Sequence, residues 1–430
     1  MSPVGGIALP PEPLAPELHP TSFQVLPLAC ANCGAEFDAA PIAVCEHCLG
    51  PLEPVYPDGP RPTRDTIARR DHSLWRYREF LPLDGAPQLS LDSGFTPLLE
   101  SPALAHRLGV ARVWLKNDAV SHPSLSFKDR VVAVALNAAK ALGLDTVGCA
   151  STGNLANAVA AQSARAGLPA WIFIPHDLEA AKVIGTAVFG PHLVRVRGTY
   201  DDVNRLCTQA ADRFGWGIVN VNLRSYYGEG SKTVAFEIAE QLGWRLPTAV
   251  VAPMAGGSLV TKLRKGFTEF LEAGLVTGDV PRLFGAQAEG CAPIVRLVRK
   301  NEDVIQPVLP NTIARSLAIG SPADGLFAAR AIRETGGWAA AVSDEELTAG
   351  IRLLAETSGV FTETAGGVTV AAALALAESG HLKADDELVL CITGNGLKTV
   401  DVVGDTIRDL PTIAPRLKEL TALVEQTHST

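Results

Sequence analysis

The chain has little of what would carry it onto nucleic acid or into a membrane. Among its 430 residues, 37 Lys and Arg stand against 46 Asp and Glu, giving a net charge of -9. No basic run is interleaved with aromatics, so a nucleic-acid partner is not expected. The most apolar stretches, near residues 131–139 and 368–377, fall short of the roughly 20 residues a bilayer-spanning helix needs, so no membrane partner is expected either. Charged residues make up only 19% and aromatics 6%. With 47% hydrophobic residues and a mean hydropathy of +0.18, the balance describes an alanine-rich globular protein of two or three domains with a large core. Cysteine is sparse as well. Four of the eight, Cys149, Cys207, Cys291 and Cys391, are scattered singly, which suits a reducing cytoplasm better than a disulfide scaffold. Residues 1–24 lack a basic-then-apolar targeting pattern and are rich in proline, which predicts a flexible arm.

The other four cysteines are not scattered. Cys30-Ala31-Asn32-Cys33 is followed after eleven residues by Cys45-Glu46-His47-Cys48. Each Cys-x-x-Cys turn aims two thiolates at one point, and two such turns predict a closed tetrahedral four-sulfur zinc site with no position left for water; the competing reading is two loose thiol pairs, redox-active or vacant. His47 is expected to be a bystander. The ribbon and its proline-rich linker, from Gly50 to Pro60, fill residues 25–60, leaving 61–430 for a catalytic domain.

Within that domain the sequence turns on Leu125-Ser126-Phe127-Lys128-Asp129-Arg130, which runs straight into the apolar Val131-Val132-Ala133-Val134-Ala135-Leu136. A lysine at the boundary between a loop and a buried helix loses hydration, which frees its amine as a nucleophile or base of the Schiff-base kind. Cys149-Ala150-Ser151-Thr152-Gly153-Asn154 then reads as a strand end passing into an alanine-rich helix, whose N-terminal N–H groups suit an anion. Val250-Val251-Ala252-Pro253 leads likewise into Met254-Ala255-Gly256-Gly257-Ser258, a small-residue loop that suits phosphate. A third buried strand ends in Thr393-Gly394-Asn395-Gly396-Leu397-Lys398, where a hydroxyl can meet a ring nitrogen. Strands are predicted at 112–116, 170–174, 193–197, 249–252, 282–286 and 387–392, alternating with helical stretches. That order gives α/β layers around mainly parallel sheets.

Taken in order, the double Cys-x-x-Cys ribbon, Ser126-Phe127-Lys128-Asp129-Arg130, Ser151-Thr152-Gly153-Asn154, Glu229-Gly230-Ser231-Lys232-Thr233, the small-residue loop and Thr393-Gly394-Asn395-Gly396-Leu397-Lys398 resemble the threonine synthases, which are fold-type II pyridoxal-phosphate enzymes. The resemblance covers about Cys30 to Leu410. It implies two three-layer α/β subdomains of the tryptophan synthase β kind, with the cofactor between them and a smaller mobile subdomain at about 112–219. It implies that Lys128 carries pyridoxal 5'-phosphate and acts as acid and base, that Asn154 meets the ring hydroxyl, that Ala255, Gly256, Gly257 and Ser258 hold the cofactor phosphate, and that Thr393 meets the pyridine nitrogen. Ser151, Thr152 and Asn154 would grip the substrate carboxylate. The implied reaction converts O-phospho-L-homoserine and water into L-threonine and phosphate in a homodimeric cytoplasmic enzyme with a structural Zn2+.

Departures from the family pattern fall where substrate is chosen. Leu155 stands where relatives carry threonine, and Arg224-Ser225-Tyr226-Tyr227-Gly228-Glu229-Gly230 replaces Asn-Pro-Tyr-Arg-Leu-Glu-Gly, which displaces the arginine expected at the leaving phosphate. Arg224, Lys232 and Arg315 are the cations expected to rebuild that pocket by charge and hydrogen bonding. Two other readings stand beside this one. One is a different pyridoxal-phosphate reaction on the same scaffold, such as cysteate synthase-like β-replacement on phosphoserine or dehydration of serine or threonine. The other is a non-catalytic zinc-ribbon interaction protein.

Overall fold

In the computed structural model, residues 24–428 are described apart from 90, 152, 177, 179, 199, 408 and 409, so all but the last residue of the predicted arm lies outside the described residues. The catalytic part is built on two sheets. The larger has six strands in the spatial order Ala339–Val342, Arg282–Ala288, Ala249–Pro253, Glu387–Ile392, Arg112–Asn117 and Leu98–Glu100. All its pairings are parallel except that of the edge strand Leu98–Glu100, which runs antiparallel to Arg112–Asn117. The smaller sheet is parallel throughout, with the order His192–Val196, Ala170–Pro175, Val147–Ala150 and Gly217–Ile218. Arg112–Asn117 therefore belongs to the larger sheet. The strands of the smaller sheet all follow it in sequence, from Val147 onward.

Parallel strands are covered on both faces, so they read as continuous apolar runs; Ala249–Pro253 is buried at every position. Two helices are buried nearly all round for the same reason. Lys128–Ala141 and Thr364–Glu378 are made largely of Ala, Gly and Val, whose small side chains let sheets and neighbouring helices approach closely. Thr364–Glu378 packs on the larger sheet, and Lys128–Ala141 packs on the helices Asn154–Ala166 and Arg224–Glu229. Among the described residues no helix is long and apolar enough to cross a membrane.

At the N-terminal end, Glu36–Phe37, Leu28–Cys30 and Leu52–Pro54 form a three-stranded antiparallel sheet. Part of the stretch predicted to be linker is thus the third strand of the ribbon. Pairing with Leu28–Cys30 takes up its backbone groups, and Leu52 and Leu28 join the same apolar cluster as Val131 and Val260 of the catalytic part.

Candidate active site

Three strand ends and one loop converge on a cavity of about 720 Å3, within the range of about 300–1,000 Å3 common for small-molecule sites. Lys128 is the first residue of its helix and is half-buried. The loop before it is stitched to the loop after Glu387–Ile392: Phe127 N–H donates to the Thr393 carbonyl at 2.9 Å, and Asn395 N–H donates to the Leu125 carbonyl at 3.1 Å. Those bonds bring Lys128 and Thr393, far apart in sequence, to one cavity wall. The Lys128 ammonium donates to Tyr227 Oη at 2.9 Å.

Ser151 and Asn154 line the same cavity from the smaller layer. Ser151 follows the strand Val147–Ala150, and its Oγ accepts from the Gly153 and Ala156 amides at 3.0 and 2.9 Å, closing the first turn of Asn154–Ala166. Thr152 lies outside the described residues. Asn154 Nδ2 donates to Glu363 Oε1 at 2.6 Å, while Asn154 Oδ1 and Glu363 Oε2 are buried without a partner. Ala255, Gly256, Gly257 and Ser258 complete the wall, with Ser258 opening the long helix Ser258–Glu272. Gly257 has φ +98, a backbone region L side chains rarely adopt, and a Cβ there would sit 2.9 Å from the Asp324 carbonyl. A Cβ on Gly256 would meet nothing within 4 Å. Open space in front of a glycine at a helix N-terminus is where an anion is held by backbone N–H groups.

These features fit pyridoxal phosphate. The orphaned Asn154 oxygen awaits a donor, the space at Gly256 admits a phosphate, Lys128 offers an amine, and Thr393 places a hydroxyl at a strand end. The cations expected for the substrate behave differently from one another. Arg224 lines the cavity but is paired with Asp324. Arg315 is exposed and is not part of the lining, although its turn contributes Ser316 and Leu317. Lys232 is wholly buried away from the cavity, between Glu229 at 2.6 Å and Glu269 at 2.8 Å, with Tyr56 Oη at 3.0 Å. Burial lowers its pKa in spite of those carboxylates, and Lys232 is not part of the cavity lining.

The four ribbon cysteines come together as the spacing predicts, with their Sγ atoms within 4.8 Å of one another. Cys30 and Cys48 are 3.4 Å apart and Cys33 and Cys45 3.7 Å, near the ~3.8 Å edge of a tetrahedron built on Zn–S bonds of about 2.3 Å. Asn32 and His47 amides point at Cys30 and Cys45 sulfurs at 3.4 Å each, as suits thiolates. The His47 side chain is outside the cluster and lies against Phe37.

Sequence reasoning missed Glu363, Tyr227 and the ribbon's share of the cavity, where Leu52 and Glu53 form part of the wall. Glu363 carried a signal: it is a lone acid directly ahead of an apolar small-residue helix, the place of an N-cap. Tyr227 carried one too, since the chain has only five tyrosines and two stand side by side at 226 and 227.

Residues 89–394 match the family described as pyridoxal-phosphate dependent enzyme. The threonine synthase of Methanocaldococcus jannaschii is 35% identical over 86% of this chain and 93% of its own length, and that of Methanosarcina acetivorans is 34% identical over 90% and 95%. Among solved structures, a fungal L-serine ammonia-lyase from Rhizomucor miehei superposes with a TM-score of 0.62 at 23% identity, covering 74% of this chain and 98% of that one, a likeness of fold alone. With the Lys128, Asn154 and Thr393 loops gathered on one cavity and a four-cysteine ribbon beside it, the chain belongs to the threonine synthases of the pyridoxal-phosphate dependent enzyme family.

Proposed function

We propose that this chain makes L-threonine and phosphate from O-phospho-L-homoserine and water. The observation that carries the reading is the identity of 35% across 93% of a curated threonine synthase. It is supported by a cavity holding the four predicted cofactor loops. Bound pyridoxal phosphate supplies the electron sink that makes the substrate's Cα–H and Cβ–H bonds acidic. Lys128 Nζ takes the proton from Cα and returns one at the end. The first-turn N–H groups of Asn154–Ala166 and the Ser151 hydroxyl orient the substrate carboxylate, and the amides of Gly256, Gly257 and Ser258 hold the cofactor phosphate. Thr393 offers the ring nitrogen a neutral hydroxyl. Phe127 and Leu155, both buried in the wall, keep bulk water from the reacting carbons.

The zinc ion on Cys30, Cys33, Cys45 and Cys48, a cytoplasmic setting and a homodimer belong to the same reading; metal analysis and light scattering of the purified protein test the first and the last. The deciding experiment measures phosphate release and amino-acid products from cofactor-loaded protein given O-phospho-L-homoserine, beside Lys128→Ala. Phosphate and threonine are expected in equal amounts, with both absent in Lys128→Ala. No phosphate from a protein with an intact cofactor absorption band would overturn the substrate, and phosphoserine, serine and threonine would then be assayed.

A further inference from the structure

A phenol lies against the amine on which the chemistry turns. Tyr227 belongs to the helix Arg224–Glu229, is 8% exposed and lines the cavity. Its Oη is 2.9 Å from Lys128 Nζ, and that nitrogen stands 5.5 Å from the ring centroid. Among the described residues the Tyr227 hydroxyl makes no other hydrogen bond, so its own proton is free to be given elsewhere. The neighbouring wall is neutral: Asn220 Nδ2 donates to Tyr200 Oη at 3.3 Å and to Asn204 Oδ1 at 3.1 Å. Nearby lining cations are committed, Arg224 to Asp324 and Lys262 to Glu53 and Glu229.

The proton count of the reaction gives this contact a task. Protons leave Cα and Cβ before one is delivered to Cγ, yet an amine holds only one extra proton at a time. Lys128 must give up the first before it takes the second, and it holds the second when the Cγ–O bond breaks, the moment at which the departing phosphate oxygen needs a proton.

We propose that Tyr227 is a catalytic proton relay between Lys128 and the departing phosphate, an inference that rests on the substrate reading above. As the Cγ–O bond breaks, its electron pair stays on the phosphate oxygen. Tyr227 gives that oxygen its hydroxyl proton and accepts on Oη the proton that Lys128 Nζ had taken from carbon. One O–H bond forms for each that breaks, Lys128 returns to the free amine, and Tyr227 is a neutral phenol before and after. A neutral relay suits this wall, because no further charge needs a partner there.

Tyr227→Phe removes one oxygen and keeps the ring. The cofactor-loaded full chain and this variant are compared in three readings: the cofactor absorption band and its stoichiometry, exchange of the substrate α-hydrogen in heavy water, and phosphate release from O-phospho-L-homoserine. The band and the α-exchange should match the wild type while phosphate release falls by about 100-fold or more, the usual contribution of a positioned acid–base group. Release at the wild-type rate would overturn the relay. Equal loss of exchange and release would do so as well, since Tyr227 would then only position Lys128, and loss of the band would assign it to cofactor retention instead. A wild-type protein that releases no phosphate removes the substrate reading and the relay with it; a wild-type protein that releases phosphate, matched by its variant, removes the relay alone.

Discussion

At the scale of single residues, the pair Asn154 and Glu363 is the most informative. A 2.6 Å hydrogen bond ties the amide of this cavity-lining residue to a carboxylate from a distant helix start and leaves the Asn154 oxygen buried and unpartnered. Gly394 makes this possible, because a Cβ there would lie 2.4 Å from Glu363 Oε1. A buried polar group left without its partner costs about 1–3 kcal/mol, so Asn154→Ala should weaken pyridoxal-phosphate affinity by roughly 10- to 100-fold. Fluorescence titration of the apoprotein with the cofactor checks this, and unchanged affinity would remove Asn154 from the cofactor's contacts. Asn154, Lys128, Thr393 and the glycine loop were legible because each is written locally, as a buried strand or loop running into small residues and a helix start. Tyr227 and Glu363 carried only faint local marks, and what they touch was not legible. Their roles come from contacts 99 and 209 residues away in sequence, which no periodicity announces. The burial of Lys232 was not legible for the same reason, since Glu269 and Tyr56, which contact it, lie far off along the chain.

At the scale of elements, the helix Lys128–Ala141 is held by a buried ion network just behind its catalytic end. Arg130, fully buried, bonds Asp118 at 2.7 and 2.8 Å and clasps Glu237, which also takes Lys116 at 2.6 Å and the Phe95 amide at 2.6 Å. Burial works to raise the Glu237 pKa, yet Arg130 and Lys116 bring it down from 4.5 to about 2. Burial lowers Lys116 itself in spite of Glu237, so Arg130 is the firmer counter-charge. A carboxyl depressed on folding stabilises the native state above its unfolded pKa and loses that contribution as pH falls toward the folded one. For Glu237 the window runs from pH 4.5 down to about 2, and a shift of that size is worth about 3 kcal/mol. Glu237→Gln should lower stability near neutrality by roughly 3–5 kcal/mol, because it breaks a buried pair, leaves Lys116 without its carboxylate and leaves Arg130 with Asp118 alone. Its stability should also fall less steeply than the wild type's through that acid window. Urea unfolding across a pH series measures both, and parallel acid limbs would show that Glu237 does not carry the dependence. The sequence marked Arg130 as charged in a helix's first turn; only the fold shows that Asp118, in the turn after the strand Arg112–Asn117, and Glu237, on the helix Lys232–Gln241, make it an anchor for Lys128.

At the scale of the whole molecule, the ribbon is a wall of the active site. The sequence separated the two with a linker, because proline and glycine between 50 and 60 look like punctuation. In the fold, Glu53 on the ribbon strand Leu52–Pro54 reaches Lys262 at 2.7 Å and also pairs with Lys265, both on the helix Ser258–Glu272 that opens at the phosphate loop. Tyr56 just beyond donates to Glu229 at 2.6 Å. Burial opposes charge on Lys262, but Glu229 and Glu53 hold its pKa above the usual lysine range, so the contact is between full charges. On the zinc reading proposed above, this small ribbon of short strands depends on metal for folding, since binding of structural zinc is worth about 10–16 kcal/mol and is folding free energy in such modules. Stripping such a metal with a chelator should therefore expose four reactive thiols, lower the melting temperature of the whole chain and loosen the cofactor, because the helix proposed to hold its phosphate loses Glu53. Glu53→Gln separates the two effects: it should keep the metal and bury the thiols while still weakening the cofactor. Thiol titration, thermal melts and cofactor titration on the three proteins decide the matter. A metal-free chain that keeps its cofactor affinity would show that the phosphate loop stands without the ribbon, and that the cavity wall at Leu52 and Glu53 is only a neighbour.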